Sequence, residues 1–76
     1  MPKIPVVSGK QAIKAFQKVG YVVMRQKGSH IRLIHPAEKN RRPLTIPDHK
    51  EVSIGVIRRL LRDSGISVEQ FILLNK

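Results

Sequence analysis

The sequence predicts an α+β fold in which a helix is followed by three antiparallel strands, a second helix and a short terminal helix. Three observations predict it. Apolar residues recur at helical spacing in two separated segments, β-branched segments lie between them, and capping or turn residues mark the ends of these segments. In such an arrangement the helices cover one face of the sheet and leave the other face to solvent.

The first helix is predicted in the segment SGKQAIKAFQKVG, residues 8–20. Ser8 and Gln11 are spaced as a capping box, and Gly20 can take the left-handed conformation that ends a helix. The apolar stripe between them consists of Ala12, Ile13, Ala15, Phe16 and Val19. Lysines at four-residue spacing lie on another face, which is typical of the solvent side of a helix.

A β-hairpin is predicted from YVVMRQ and HIRLIH, because the KGS segment between them has turn chemistry. In the second strand Ile31 and Leu33 share one face, and His30 and Arg32 share the other. If the aliphatic pair faces the helices, His30 and Arg32 point to solvent. Residues 22–24 are apolar on both faces, so the register of the first strand stays open.

The rest of the chain predicts a short strand and two helices. LTI, residues 44–46, lies between prolines and is expected at a sheet edge. VSIGVIRRLLRDSG is expected to be a helix ending at Gly65, and a last helix begins at Ser67, which forms a second capping box with Gln70. The side chains expected in the core are Ile54, Ile57, Leu60, Leu61, Phe71, Leu73 and Leu74.

Length and composition predict a single domain, residues 1–76, with 41% apolar residues and no deep pocket. No apolar run approaches the roughly 20 residues that span a bilayer, so we expect no membrane partner. The start of the chain lacks a secretory signal and the sequence contains no cysteine, which favours a cytoplasmic location. We expect no cofactor, because no glycine-rich nucleotide-binding loop is present.

The charge of the chain favours a polyanionic partner. Fifteen Lys and Arg against five Asp and Glu give a net charge of +10, and residues 1–37 contain no acid. One Tyr and two Phe offer few surfaces for base stacking. Contact with a nucleic-acid backbone is therefore favoured over base-by-base reading.

The Gly28-Ser29-His30 step is the strongest candidate for chemistry. A histidine can transfer protons near neutral pH, and Arg25, Lys27 and Arg32 are the nearest cations in the hairpin. Gly28 allows close backbone approach to a phosphate, and Ser29 can donate to a phosphate oxygen or orient the imidazole. Taken alone, such a histidine is more often a solvated turn residue.

No metal site is expected from the three histidines. His30 and His35 are five residues apart on a strand and so lie on opposite faces, and neither cysteine nor paired carboxylates accompany them or His49.

The sequence resembles the HicA family of toxin ribonucleases from HicA-HicB toxin-antitoxin modules over nearly its whole length. The resemblance rests on SGKQAIKAFQKVGY, RQKGSH, IPDH and GVIRRLLRDSGISVEQF, which follow one another in the family's order and spacing. It implies a fold like that of double-stranded-RNA-binding domains and a metal-independent endoribonuclease that cleaves mRNA. It also implies that His30 is the catalytic residue, with Gly28 and Ser29 as supporting residues of the same motif.

The resemblance further implies a HicB antitoxin as partner, which would cover the basic face and His30. Two other functions stay open. A non-catalytic double-stranded-RNA-binding module has the same order of elements, but the segment before the second long helix carries only Lys50 where such modules usually place a lysine cluster. A ribosome-associated basic protein would use the lysines alone, with His30 incidental.

Overall fold

The computed structural model describes residues 3–76 and confirms the predicted α+β order of helices and strands. The elements are α1 (Gly9–Gln17), β1 (Val22–Lys27), β2 (His30–Ile34), β3 (Leu44–Pro47), α2 (Ile54–Ser64) and α3 (Val68–Leu74). The strands form one antiparallel sheet in the order β1-β2-β3. The hairpin therefore pairs β1 with the central strand, and β3 is an edge strand as predicted.

The start of α1 is the predicted capping box. The Ser8 hydroxyl accepts a hydrogen bond from the Gln11 backbone N–H at 3.1 Å, and the Gln11 side-chain oxygen accepts one from the Ser8 N–H at 2.8 Å. The helix ends at Gln17, two residues before Val19, where a capping Gly20 would have ended it. Gly20 has a φ of +106° in the turn that leads into β1, so its conformational freedom is used after the helix.

Serine residues cap the starts of α2 and α3, and Gly65 ends α2 as predicted. The Ser53 hydroxyl accepts from the Val56 N–H at 3.3 Å at the start of α2, and Gly65 ends the helix in the left-handed region with a φ of +75°. The Ser67 hydroxyl caps α3 by accepting from the Gln70 N–H at 3.1 Å. The Gln70 side chain does not accept from the Ser67 N–H in return, so the predicted second capping box is only half formed. A serine hydroxyl thus satisfies one of the free N–H groups at the start of each of these helices.

One hydrophobic core lies between the helices and a single face of the sheet. The sheet contributes Ile31, Leu33, Leu44 and Ile46, which are all buried, while the alternate residues of β2 and β3 lie on the opposite face. The core prediction was wrong at two positions: Ile54 is 43% exposed and Leu73 is 65% exposed. Ile54 is the first residue of α2, and Leu73 lies about 200° around α3 from the buried Phe71.

The β1 strand is exposed along its whole length and contains a bulge. Val23 pairs with Leu33, and Arg25 pairs with Arg32, so Met24 is the extra residue between two successive pairs. The bulge places Val23 on the same side of the sheet as Leu33, although Val23 is still 45% exposed. The helices contact mainly β3, so they do not cover β1.

His35, just after β2, is a buried histidine held by backbone groups. Its Nε2–H donates to the Val19 carbonyl at 2.8 Å, and its Nδ1 accepts from the Glu38 N–H at 3.0 Å. Its ring packs edge-on against Tyr21 with the centroids 5.1 Å apart. His35 therefore lies on the side of the sheet opposite His30, as the strand periodicity predicts, and both its ring nitrogens are occupied.

Candidate functional site on the exposed sheet face

A two-residue turn sets the geometry of the site. Lys27 and His30 are directly paired at the end of the β1-β2 hairpin and enclose Gly28 and Ser29. Gly28 has a φ of +61°, whereas Ser29 has a negative φ, the combination found in type II′ turns. A Cβ on Gly28 would have no atom within 4 Å, so the turn requires glycine for its backbone conformation rather than for space.

The turn register brings four basic or titratable side chains to the exposed face. Directly opposed residues of antiparallel strands place their side chains on the same face. The row nearest the turn consists of Lys27, His30 and Pro47, and the next row consists of Arg25, Arg32 and Thr45. The turn thus sets the register of residues 25–27 and places Arg25 and Lys27 on the side of His30, while the bulge at Met24 decides the register of the preceding residues.

Ser29 contributes to this site through its backbone. Its carbonyl accepts a hydrogen bond from the Asp48 N–H at 2.7 Å, which joins the hairpin turn to the segment that follows β3. The Ser29 hydroxyl makes no hydrogen bond within residues 3–76, so it does not orient the His30 ring as the sequence suggested it can. The hydroxyl is exposed and available to a ligand.

The start of α1 packs closely against the same segment. The Gly9 N–H donates to the His49 carbonyl at 2.9 Å. A side chain at Gly9 would collide with the backbone of Pro47, so only glycine permits this approach. The GSH turn, the IPDH segment and the first residue of α1 therefore meet at one end of the sheet.

The His30 ring is exposed and lies where two open grooves meet. A groove of about 390 Å³ is bounded by His30, Arg32 and Arg59 among others, and a smaller groove of about 170 Å³ is bounded by Arg25, Lys27 and His30 among others. Within the described chain no residue forms a hydrogen bond with the ring. Both ring nitrogens are therefore available to an incoming molecule.

The cations around His30 are also unpaired. Within residues 3–76 the one salt bridge joins Arg41 to Glu38, away from this face, so Arg25, Lys27 and Arg32 have no carboxylate partner. An exposed imidazole beside three unpaired cations can bind an anion and move a proton next to it. The arrangement therefore suits chemistry at a phosphate group.

Arg59 is a site residue that the sequence interpretation missed. It lies on α2 and borders the 390 Å³ groove together with His30. Its spacing of four from Asp63 places both on one side of the helix, which the sequence does show. The sequence does not show that this side of α2 lies along the free edge of β3.

The described residues offer no metal site and no membrane-spanning helix. No group of three or more His, Cys, Asp and Glu side chains in residues 3–76 is arranged to hold a metal ion. In the same part of the chain, no helix combines the length and the apolar content needed to cross a bilayer.

Comparison with known proteins connects this geometry to a family. A comparison with curated proteins finds no match. A family model described as the HicA toxin of bacterial toxin-antitoxin systems matches residues 9–66, from the first residue of α1 to the residue after Gly65. The match includes the hairpin turn, His30 and the α2 helix, and it covers well over half of the 76 residues. The chain therefore belongs to the HicA toxin family of bacterial toxin-antitoxin systems.

Proposed function

We propose that this protein is a metal-independent endoribonuclease that cleaves mRNA, with His30 as its general acid or base. The observation that carries the proposal is the exposed His30 ring, free of hydrogen bonds within the described chain and facing unpaired cations. Membership in the toxin family supports a harmful activity that an antitoxin must restrain.

The reaction uses the substrate's own nucleophile. His30 takes the proton of a ribose 2′-hydroxyl, and the 2′-oxygen attacks the adjacent phosphorus. The bond from phosphorus to the 5′-oxygen breaks as that oxygen gains a proton from the protonated His30 ring or from water, which leaves a 2′,3′-cyclic phosphate and a 5′-hydroxyl. Lys27, Arg25 and Arg32 stabilise the extra negative charge on the phosphorane oxygens.

Gly28 and Ser29 support this reaction in different ways. Gly28 keeps the turn tight, so that His30 stays opposite Lys27. The free Ser29 hydroxyl donates a hydrogen bond to a nonbridging phosphate oxygen. The charge of the whole domain adds affinity for RNA that does not depend on sequence.

The test is RNA cleavage in the presence of a chelator by the wild type and by His30→Ala and His49→Ala. His49 is also exposed but borders neither groove, so its variant is the matched control. We expect the wild type and His49→Ala to cut RNA. His30→Ala should still bind RNA, but its rate of cleavage should be about 10²–10⁴-fold lower. Binding without cleavage by all three proteins would indicate a passive RNA-binding domain and end the ribonuclease proposal.

The antitoxin is proposed to be a HicB protein that covers the exposed sheet face and His30. The net charge of +10 favours an acidic antitoxin surface, with an association rate that falls as salt is added. Chemical modification of His30 by diethyl pyrocarbonate, followed by mass spectrometry, measures the covering directly. We expect protection of His30 in the complex and loss of RNA cleavage, and a complex that still cuts RNA would contradict the proposal.

A further inference from the structure

The 390 Å³ groove beside His30 continues along the molecule. It passes between the free edge of β3 and α2, where Arg32 and Arg59 border it. At its far end it joins a groove of about 490 Å³ that shares these two arginines and adds Arg42 and Arg62. The two together form the arginine groove, which begins at His30.

The arginine groove carries a high density of exposed positive charge. Its four arginines are exposed, and in the described chain none of them forms a salt bridge. Asp63 is the one acidic residue among those that border it. Four guanidinium groups against one carboxylate leave the groove suited to an anion, and guanidinium groups match phosphate oxygens in a planar, two-point geometry.

The loop that carries Arg42 is tied to the rest of the fold. The Arg42 N–H donates to the Asp63 carbonyl at 2.9 Å, and the Tyr21 hydroxyl donates to the Arg42 carbonyl at 2.8 Å. Burial raises the pKa of the Tyr21 phenol, so this donor keeps its proton. The backbone on both sides of the arginine groove is therefore held in place before any ligand binds.

The ligand is recognised through its backbone and not through its bases. The three Phe and Tyr side chains of the chain, Phe16, Tyr21 and Phe71, are at most 1% exposed, and there is no tryptophan. Stacking on such rings, the usual way of holding single-stranded bases, is therefore not available. A row of unpaired arginines instead binds successive phosphates.

We propose that the arginine groove holds the RNA strand on one side of the phosphate that is cut, with Arg59 and Arg62 contacting successive phosphates. The inference rests on the proposed ribonuclease function, because it takes His30 as the point of cleavage. From Pro47, opposite His30, to Arg42 is five residues, or at most about 17 Å of extended chain. This length accommodates several successive phosphates of one strand, since these lie about 3.4 Å apart along the axis of a B-form duplex and farther apart along the backbone itself.

The test measures how RNA affinity depends on salt for two variants of α2. Arg59→Gln combined with Arg62→Gln removes two guanidinium groups of the arginine groove. Arg58→Gln is the matched control, because Arg58 is an exposed arginine of the same helix, about 100° from Arg59, and borders neither part of the groove. Fluorescence anisotropy with a labelled 2′-O-methyl strand of about 12 nucleotides reports binding without cleavage.

We expect the double variant to flatten the slope of log K against log salt by about 1.4, since each lost contact to single-stranded RNA removes about 0.7. This corresponds to about 25-fold weaker binding at 0.1 M salt. The slope for Arg58→Gln should differ from that of the wild type by less than about 0.35, which is half the contribution of one contact. Melting temperatures of all variants close to that of the wild type confirm that the exposed substitutions leave the fold intact.

A wild-type slope in the double variant would overturn the inference. So would a slope change in Arg58→Gln of about half that in the double variant, because loss of one charge instead of two would then explain both. Weaker antitoxin binding by the double variant with unchanged RNA binding would also overturn it and assign the groove to the protein partner. Failure of the wild type to cleave RNA would end the ribonuclease proposal, while the anisotropy comparison still decides what the groove binds.

Discussion

The two histidines on opposite sides of the sheet should respond to substitution in opposite ways. His35 is 8% exposed, and its ring nitrogens pair with the Val19 carbonyl and the Glu38 N–H. His35→Phe keeps an aromatic ring but leaves both partly buried backbone groups without a partner. Each loss costs about 1–1.5 kcal/mol at a partly buried site, which together lowers the free energy of unfolding by about 2–3 kcal/mol.

For a domain of this size, 1 kcal/mol shifts the melting temperature by about 4–8 °C, so His35→Phe should melt roughly 10–20 °C below the wild type. His30→Ala removes an exposed ring without hydrogen bonds in the described chain and should shift the melting temperature by less than about 4 °C. Far-UV circular dichroism during heating measures both shifts.

An RNA-cleavage assay on the same proteins completes the comparison. Below its melting temperature His35→Phe should still cut RNA, whereas the stable His30→Ala should cut about 10²–10⁴-fold more slowly than the wild type. Equal melting temperatures for His35→Phe and the wild type would refute the structural role of His35. A large loss of stability in His30→Ala would refute the description of its ring as free, and the loss of cleavage could no longer be assigned to chemistry.

Three further predictions concern the turns and the salt bridge between Arg41 and Glu38. Gly20→Ala combines a φ of +106° with a Cβ 2.6 Å from Nε2 of His35, whose ring is held on both sides, so urea unfolding should show a loss of about 2–4 kcal/mol. Gly28→Ala meets no neighbour and should lose only about 1–2 kcal/mol for its φ of +61°; a cost equal to that at Gly20 would contradict the contact argument. The hydrogen bond and charge of Arg41 lower the pKa of Glu38, so Arg41→Gln should raise that pKa in an NMR titration. The lowered pKa of Glu38 stabilises the folded state at pH values above the ordinary Glu pKa, and this stabilisation is lost as the pH falls through the pKa in the folded state. In Arg41→Gln the free energy of unfolding should therefore depend less on pH over that acid range.

The elements that the sequence predicted well are those set by local chemistry. The capping box of Ser8 and Gln11 and the left-handed Gly65 involve residues within a few positions of each other, so their geometry follows from neighbouring residues alone. The alternation in β2 also held, because Ile31 and Leu33 are buried while His30 and Arg32 are exposed. The central candidate for chemistry could therefore be placed on the open face from one strand.

Predictions failed where burial depends on what packs against a segment. Ile54 and Leu73 have the spacing and the hydrophobicity of core residues, but the parts of α2 and α3 that carry them face solvent. The bulge at Met24 likewise could not be predicted, because residues 22–24 are apolar on both faces of the strand and no pattern marks the extra residue. Helical spacing determines which side chains share a face, but only the packing of the helix determines whether that face is buried.

The sequence by itself determined the order of the elements, the net charge of +10 and the turn that presents His30. The two-residue turn also determined the register of residues 25–27 of β1, since a loop of that length pairs Lys27 with His30, whereas the register of residues 22–24 depends on the bulge. Only the tertiary structure decided that α2 lies along the edge of β3 and that Arg59 shares a groove with His30. These residues are far apart in the chain, and the docking of a helix on a sheet follows from the packing of the whole core and from no local pattern.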